Sequence, residues 1–96
     1  MRKGKQTHIL NYRVLIEKEA YDDNTSVYVT HVPTLGISDY GPTLEKALQN
    51  TQKLIQFHVE SLIEEGENVP AADDLTNLII ASSQIEIRPK RAVAFA

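Results

Sequence analysis

The sequence predicts a single α+β domain, in which an antiparallel three-stranded meander is followed by one long amphipathic helix packed on the sheet, a short helix and a final strand. Residues 9–40 contain three segments rich in β-branched and aromatic residues, separated by turn-forming residues. Residues 43–66 instead carry apolar side chains at helical spacing. A length of 96 residues leaves room for one domain with a thin core, so a partner or a second copy could contribute to its stability.

The first strand is predicted over residues 9–18. Its alternate residues are apolar and share one face: Leu10, Tyr12, Val14 and Ile16. Residues 20–25 supply turn chemistry. Residues 26–32 form the second strand, which Pro33 ends because proline cannot donate a hydrogen bond to a sheet. Residues 37–40 form a short third strand, and the brief connections favour an antiparallel meander.

The long helix is predicted to begin after Thr43, whose hydroxyl can cap it, with Glu45 in the first turn. Gly66 is a natural terminator. One stripe of the helix would bury against the sheet, and it consists of Leu44, Ala47, Leu48, Thr51, Ile55, Val59 and Leu62.

Beyond the helix, Asp73 or Asp74 could cap a short second helix. Residues 84–88 alternate polar and apolar side chains, with Ile85 and Ile87 inward, which predicts the final strand. The chain therefore divides into a flexible basic N-terminus at residues 1–8, one domain at residues 9–88, and a C-terminal tail at residues 89–96.

The composition narrows the classes of function. A chain without cysteine forms no disulfides and offers no thiolate zinc site or cysteine nucleophile. The net charge of −3 argues against nucleic acid as the main ligand and favours a basic partner. No apolar run is long enough to cross a membrane, and no signal peptide is apparent, so we expect a cytoplasmic protein.

Four short motifs occur in order along the chain. They are Tyr12-Arg13-Val14, Val27-Tyr28-Val29 running to Val32-Pro33, the helix start Gly41-Pro42-Thr43-Leu44-Glu45-Lys46-Ala47-Leu48, and the helix end Glu64-Glu65-Gly66-Glu67-Asn68-Val69-Pro70. Together they resemble the HicB antitoxin family, whose pattern is a tyrosine-rich strand, a V-P strand end, G-x-T-x-x-x-A and E-E-G-x-x-x-P. The resemblance covers residues 11–70, while residues 84–88 match the last strand of the family in type only.

The resemblance implies a partial ribonuclease-H-like fold that covers the active site of a small RNA-cleaving toxin of the HicA type. Most members also carry a C-terminal DNA-binding region, a helix-turn-helix or a ribbon-helix-helix. Only a short tail follows Arg88 here, so we do not expect this chain to bind DNA. The loop at residues 33–37 is also one residue shorter than the usual P-x-L-P-G turn, which leaves the contacts of this loop open.

Catalysis is not expected. Two-metal cleavage of a phosphodiester needs carboxylates clustered on adjacent strands, whereas the acids here fit solvated strand faces and turns. The three histidines, His8, His31 and His58, lie on separate elements without metal-ligand spacing. No phosphate-binding glycine loop and no nucleophile motif is present. We therefore predict no cofactor, no metal site and no enzymatic activity.

Three features could contact another subunit or a partner. Phe57 projects from the charged side of the helix, where a large apolar residue is either incidental or part of an interface. The acidic turn Asp22-Asp23 could meet a basic surface. In the tail, Val93 and Phe95 either belong to a frayed terminus, extend the last strand, or add a strand to a neighbouring subunit.

Two functions remain open at this point. The first is an antitoxin that occludes a small basic HicA-type ribonuclease. The second is a stand-alone homo-oligomeric module of the same fold that has a binding or scaffolding role and no toxin partner.

Overall fold

A computed structural model describes residues 6–96. Its elements are the strands β1 (Leu15–Ala20), β2 (Ser26–Val32) and β3 (Ile37–Gly41), the helix α1 (Leu44–Glu64), and a 3-10 helix at Leu75–Asn77. The predicted α+β class is confirmed. Most of the predicted basic N-terminus, residues 1–5, lies outside the described residues. Within residues 6–96, no helix is both long and apolar enough to span a bilayer.

The three strands form an antiparallel sheet in the order β1-β2-β3, so β1 and β3 are its edges. Leu15 pairs with His31 across the first ladder, and Val29 pairs with Tyr40 across the second. The first strand begins six residues later than the predicted start at residue 9. Leu15 pairs with His31, so only Val32 remains in β2 before Pro33, and the chain before Leu15 has a single β2 residue left opposite it.

The core lies between the sheet and α1. Tyr12, Val32 and Leu35 are buried there, and four partly buried side chains pack against them: Val14, Ile37, Ile55 and Val59. Two buried threonines tie the layers together, since the Oγ1 atoms of Thr30 in β2 and Thr51 in α1 are 2.5 Å apart.

Both ends of α1 follow the predicted signals. The Oγ1 atom of Thr43 accepts a hydrogen bond from the amide of Lys46 at 3.0 Å. At the other end Gly66 has a φ of +72°, a left-handed conformation that favours glycine. The amide of Glu67 then reaches back to the carbonyl of Leu62 at 2.9 Å, which satisfies a carbonyl that the ending helix leaves free.

Gly41 sets the distance between the end of β3 and the start of α1. A Cβ atom at this position would lie 2.6 Å from the backbone nitrogen of Ala47, which is much closer than atoms normally approach. The close approach of the Ala47 backbone therefore requires a residue without a side chain at position 41.

The predicted buried stripe of α1 is only partly covered. Ala47 and Thr51 are buried, but Leu44 and Leu48 stay 46% and 41% exposed. The reason is the position of the helix, which packs on β3 and β2 and, among residues 6–96, makes no contact with β1.

The region after α1 differs most from the prediction. The short second helix is a single 3-10 turn, capped by Asp74, whose carboxylate accepts a hydrogen bond from the amide of Thr76 at 3.0 Å. Residues 84–88 do not form the predicted final strand, because no other described segment pairs with them. Instead this region extends away from the sheet and α1. With this extension included, the molecule measures 70 × 33 × 25 Å along its principal axes.

Candidate partner-binding surface

One face of the sheet is covered by α1 and the other has no cover within residues 6–96. Thr30 and Val32 are fully buried beneath α1, so their neighbours Val29 and His31 point to the opposite side. We call that opposite side the open face. The ladder registers place three rows of side chains on it: Leu15-His31-Ser38, Glu17-Val29-Tyr40 and Glu19-Val27.

The open face combines an apolar centre with acidic groups on one flank. Val27 and Val29 in β2 are partly exposed, and Tyr40 in β3 is 63% exposed. The exposed carboxylates of Glu17 and Glu19 lie beside them on β1. A protein-binding surface commonly has this arrangement, in which aromatic and apolar groups are surrounded by charges that select the partner.

Strand alternation separates the charges of β1. Lys18 lies between the two glutamates in sequence but points to the helix side, where its Nζ atom is 5.7 Å from the centre of the Tyr28 ring. The carboxylates of Glu17 and Glu19 therefore remain on the open face without this lysine beside them.

The predicted acidic residues Asp22 and Asp23 lie in the turn between β1 and β2, at the end of the sheet where Glu19 is found. The Asp23 carboxylate accepts hydrogen bonds from the hydroxyl of Thr25 at 2.5 Å and from its amide at 3.1 Å. The hydroxyl bond is the main cause that lowers the pKa of Asp23, and the amide bond adds to it. Asp23 therefore shapes the turn while it keeps its negative charge.

Phe57 lies elsewhere on the molecule. It is 69% exposed on the side of α1 that faces away from the sheet, in a shallow depression next to Lys53 and Glu60. The structure therefore does not bring Phe57 together with Asp22 and Asp23. Val93 and Phe95 lie in the extended C-terminal region and are also exposed, so the three predicted contact features occupy three separate surfaces.

A further apolar surface was not predicted from the sequence. It is a groove between α1 and the chain that precedes β1, and we call it the side groove. Cavities of about 390 and 320 Å³ lie along it, and their apolar lining comes from Leu10, Tyr12, Val14, Leu48, Ile55, Val59 and Ile63. The signal in the sequence was the apolar stripe of α1, because Leu48, Ile55 and Val59 of that stripe line the groove.

Asp73 has a structural role that the sequence did not predict. Its carboxylate accepts hydrogen bonds from the amide of Arg13 and the hydroxyl of Thr34, each at 2.6 Å, while its own amide donates to the carbonyl of Asn11 at 2.9 Å. The Arg13 amide is the main cause that lowers the pKa of Asp73, followed by the Thr34 hydroxyl. Asp73 thus holds the connection after α1 against the start of the sheet.

Tyr12 strengthens the same attachment. Its hydroxyl donates to the carbonyl of Pro70 at 2.6 Å, and its ring belongs to the core. Burial raises the pKa of Tyr12, with a smaller contribution from the charge of Asp73. The neutral phenol, which can donate, is therefore the form that the fold favours.

No group of three or more histidine, aspartate or glutamate side chains within residues 6–96 lies close enough together to hold a metal ion. His31 is exposed on the open face, and His58 is partly buried on α1.

Comparison with known proteins identifies relatives over most of the chain. Residues 12–86 match the family described as a HicB-like antitoxin of bacterial toxin-antitoxin systems. A UPF0150 protein of Synechocystis is 41% identical over 66 residues, which are 68% of this chain and 78% of the relative. An uncharacterized 14.9 kDa protein from the rep-hol intergenic region of Haemophilus phage HP1 is 34% identical over 68 residues. That alignment covers 71% of this chain and about half, 48%, of the phage protein.

No solved structure gives a significant match. The family match extends from Tyr12 in the core to Glu86 and includes all three strands, α1 and the connection held by Asp73. This chain therefore belongs to the HicB-like antitoxin family of bacterial toxin-antitoxin systems.

Proposed function

We propose that this protein is an antitoxin that binds a small, basic, RNA-cleaving toxin of the HicA type and occludes its RNA-binding site. Membership of the HicB-like antitoxin family is the observation that carries the proposal. Such a toxin acts on RNA, so the proposed complex forms in the cytoplasm.

The open face is the surface that we assign to the toxin. Its apolar centre, formed by Val27, Val29 and Tyr40, offers side chains that lose water on binding. Glu17, Glu19 and the turn carboxylate of Asp23 place negative charge along one flank of the face. An RNA-cleaving protein needs positive charge to hold its substrate, so acids placed over that site would compete with RNA and accelerate association.

The mechanism is steric and electrostatic and needs no chemistry from the antitoxin. A rigid sheet laid over the basic site of the toxin excludes the phosphate backbone, because both ligands need the same cationic side chains. A lack of enzymatic activity in this chain remains a prediction. Purified protein that cleaved RNA in the presence of metal ions would contradict it.

The test begins with co-expression of the full chain and the small basic protein encoded by the neighbouring gene. Rescue of growth from that protein supports the antitoxin proposal, and unrelieved toxicity with no complex formed contradicts it.

A charge-reversal pair then tests the surface. We expect Glu17→Lys with Glu19→Lys to weaken binding of the purified toxin at least tenfold, or about 1.4 kcal/mol. The matched control is Glu64→Lys with Glu67→Lys, which makes the same change of charge at exposed positions near the end of α1. Equal affinity losses in the two pairs would show that only net charge matters and would remove the open face from the proposal.

The second candidate is a stand-alone homo-oligomeric module with a binding or scaffolding role. The exposed apolar groups outside the open face, which include Phe57 and Phe95, favour it. A chain that forms stable oligomers, has no toxic neighbour and rescues no growth defect would support this candidate over the first.

A further inference from the structure

The last part of the chain, residues 78–96, leaves the body of the protein, and we call it the C-terminal arm. Its large apolar side chains are open to solvent: Ile79 is 87% exposed, Ile80 80%, Ile85 75% and Ile87 55%. Exposed isoleucines at this density are costly in water unless another surface covers them.

The extension of the arm is visible in the overall dimensions. The radius of gyration is 19.1 Å. A compact domain of this length would have a radius of gyration of about 12.5 Å. Together with the exposure of its isoleucines, this size indicates that the arm is not folded back onto the core that it follows in sequence.

On the side of β1, the body of the protein has an unpaired strand edge and an uncovered apolar groove. The outer edge of β1 carries backbone amides and carbonyls that no strand within residues 6–96 pairs with. The side groove lies along the chain that leads into this strand, and it exposes Leu48 and Ile63 on α1, at 41% and 62%.

We propose that residues 84–88 of one copy pair with the outer edge of β1 in a second copy, and that Ile85 and Ile87 turn toward the side groove of that copy. The same contact is made in both directions, so the product is a strand-exchanged dimer with a four-stranded sheet in each half. This proposal does not depend on a toxin.

The alternation of side chains in the two segments agrees with this pairing. In β1, Ile16 points to the helix side and Glu17 to the open face. In the arm, Ile85 and Ile87 share one face, while Glu86 and Arg88, which form an ion pair at 2.9 Å, share the other. When the isoleucines face the groove, this neutral ion pair lies on the side of the open face, so the arm adds no net charge to the acidic flank.

A second copy of the chain is the occupant that the structure favours. Each copy carries both the arm and the uncovered edge, so the exchange is self-complementary and closes with two chains, leaving no arm unpaired. Residues 78–83 connect the arm strand to the body and can span about 20 Å when extended, which is enough to cross to a neighbouring molecule.

The first experiment measures mass by light scattering after size exclusion, using the full chain. We expect twice the chain mass of 10.8 kDa at a protein concentration of about 100 µM. Ile85→Asp should shift the mass to that of the monomer, while the matched control Gln84→Asp, with the same charge on the opposite face of the arm, should stay dimeric. A monomeric wild-type chain, or a dimer unaffected by Ile85→Asp in a folded variant, would overturn the proposal.

A second experiment remains informative if Ile85→Asp does not fold. The chain has no cysteine, so single cysteines can be placed without interference. Chains with Glu86→Cys, mixed with chains carrying Glu17→Cys, should be joined by a short bismaleimide several-fold more than when mixed with chains carrying Lys53→Cys on α1. Equal yields would overturn the proposed pairing. An arm protected from hydrogen exchange only when toxin is bound would also overturn it and assign the arm to the toxin.

Discussion

Replacing Thr30 by valine is expected to destabilise the fold more than the same replacement at Thr51, although both residues are buried and share one hydrogen bond. Their Oγ1 atoms are 2.5 Å apart, and each side chain has less than 2% of its surface exposed. Valine keeps the shape of threonine and removes only the hydroxyl, so the comparison isolates hydrogen bonding from packing.

The direction of the hydrogen bonds follows from counting protons. Each hydroxyl donates once. Thr51 can donate to the carbonyl of Ala47 at 2.7 Å and Thr30 to the carbonyl of Asp39 at 3.1 Å, and one of the two must instead donate across the contact between the threonines. The longer bond is the weaker one to give up, so Thr30 donates to Thr51. Thr30 in turn accepts a hydrogen bond from the amide of Asp39 at 3.2 Å. The chain of bonds therefore runs from β3 through β2 to α1.

The two substitutions interrupt this chain at different points. In Thr51→Val the hydroxyl of Thr30 can turn to the carbonyl of Asp39, which is 3.1 Å away, so its bond is replaced. In Thr30→Val the amide of Asp39 loses the hydroxyl that accepts its hydrogen bond, because valine has no polar side-chain atom. An unsatisfied, partly buried donor costs about 1–3 kcal/mol, so we expect about 1.5 kcal/mol for Thr30→Val and about 0.5 kcal/mol for Thr51→Val.

The assay is urea unfolding followed by circular dichroism at one fixed protein concentration, because self-association would make stability depend on concentration. With an m-value of about 1 kcal/mol/M, the midpoint should fall by about 1.5 M for Thr30→Val and by about 0.5 M for Thr51→Val. The double variant should cost little more than Thr30→Val alone, since the shared bond is already lost. A larger cost for Thr51→Val at an unchanged m-value would refute the proposed direction of the bonds.

Three further predictions concern the helix start, the connection after α1 and the exposed aromatic residue. Gly41→Ala should lower the free energy of unfolding by about 1–3 kcal/mol, because the added Cβ would lie 2.6 Å from the Ala47 nitrogen; thermal unfolding measures this, and an unchanged Tm would contradict the close approach. The pKa of Asp73 is lowered in the fold by the hydrogen bond from the Arg13 amide, so the ionised carboxylate stabilises the fold above the unfolded pKa of about 3.9, and this stabilisation is lost as the pH falls through the lower folded pKa. Asp73→Asn should remove this part of the pH dependence of the free energy of unfolding, measured by urea unfolding at several pH values. A pH dependence equal to that of the wild type would contradict the prediction. Phe57→Ala should reduce oligomer size or partner affinity if Phe57 is a contact, and wild-type values for both in scattering and binding measurements would reject that role.

The candidate surface could be predicted only in pieces. The acidic turn at Asp22 and Asp23 was visible in the sequence, and the structure places it at one end of the open face. The acids of that face, Glu17 and Glu19, became a set only once the register showed that they flank Val29 on the uncovered side. Which face of a sheet is covered depends on where the helix packs, and that is not a local property of any strand.

The sequence by itself determined the features that depend on near neighbours. The bounds of β2, the cap at Thr43 and the turn of the chain at Gly66 follow from the chemistry of one to four adjacent residues, and the structure confirms each of them. Capping, proline termination and left-handed glycine act within a single turn of chain, so they can be recognised without knowing the rest of the fold.

Only the tertiary structure decided the features that depend on distant partners. The start of β1 at Leu15 depends on where β2 ends, the exposure of Leu48 depends on the strands over which α1 lies, and the attachment by Asp73 joins residues about sixty positions apart. The final strand over residues 84–88 shows the limit most clearly, since its pattern of alternation is present but no described segment pairs with it. A strand is stabilised by the backbone groups of its neighbour, so alternation alone predicts which face is apolar but not which chain supplies the partner.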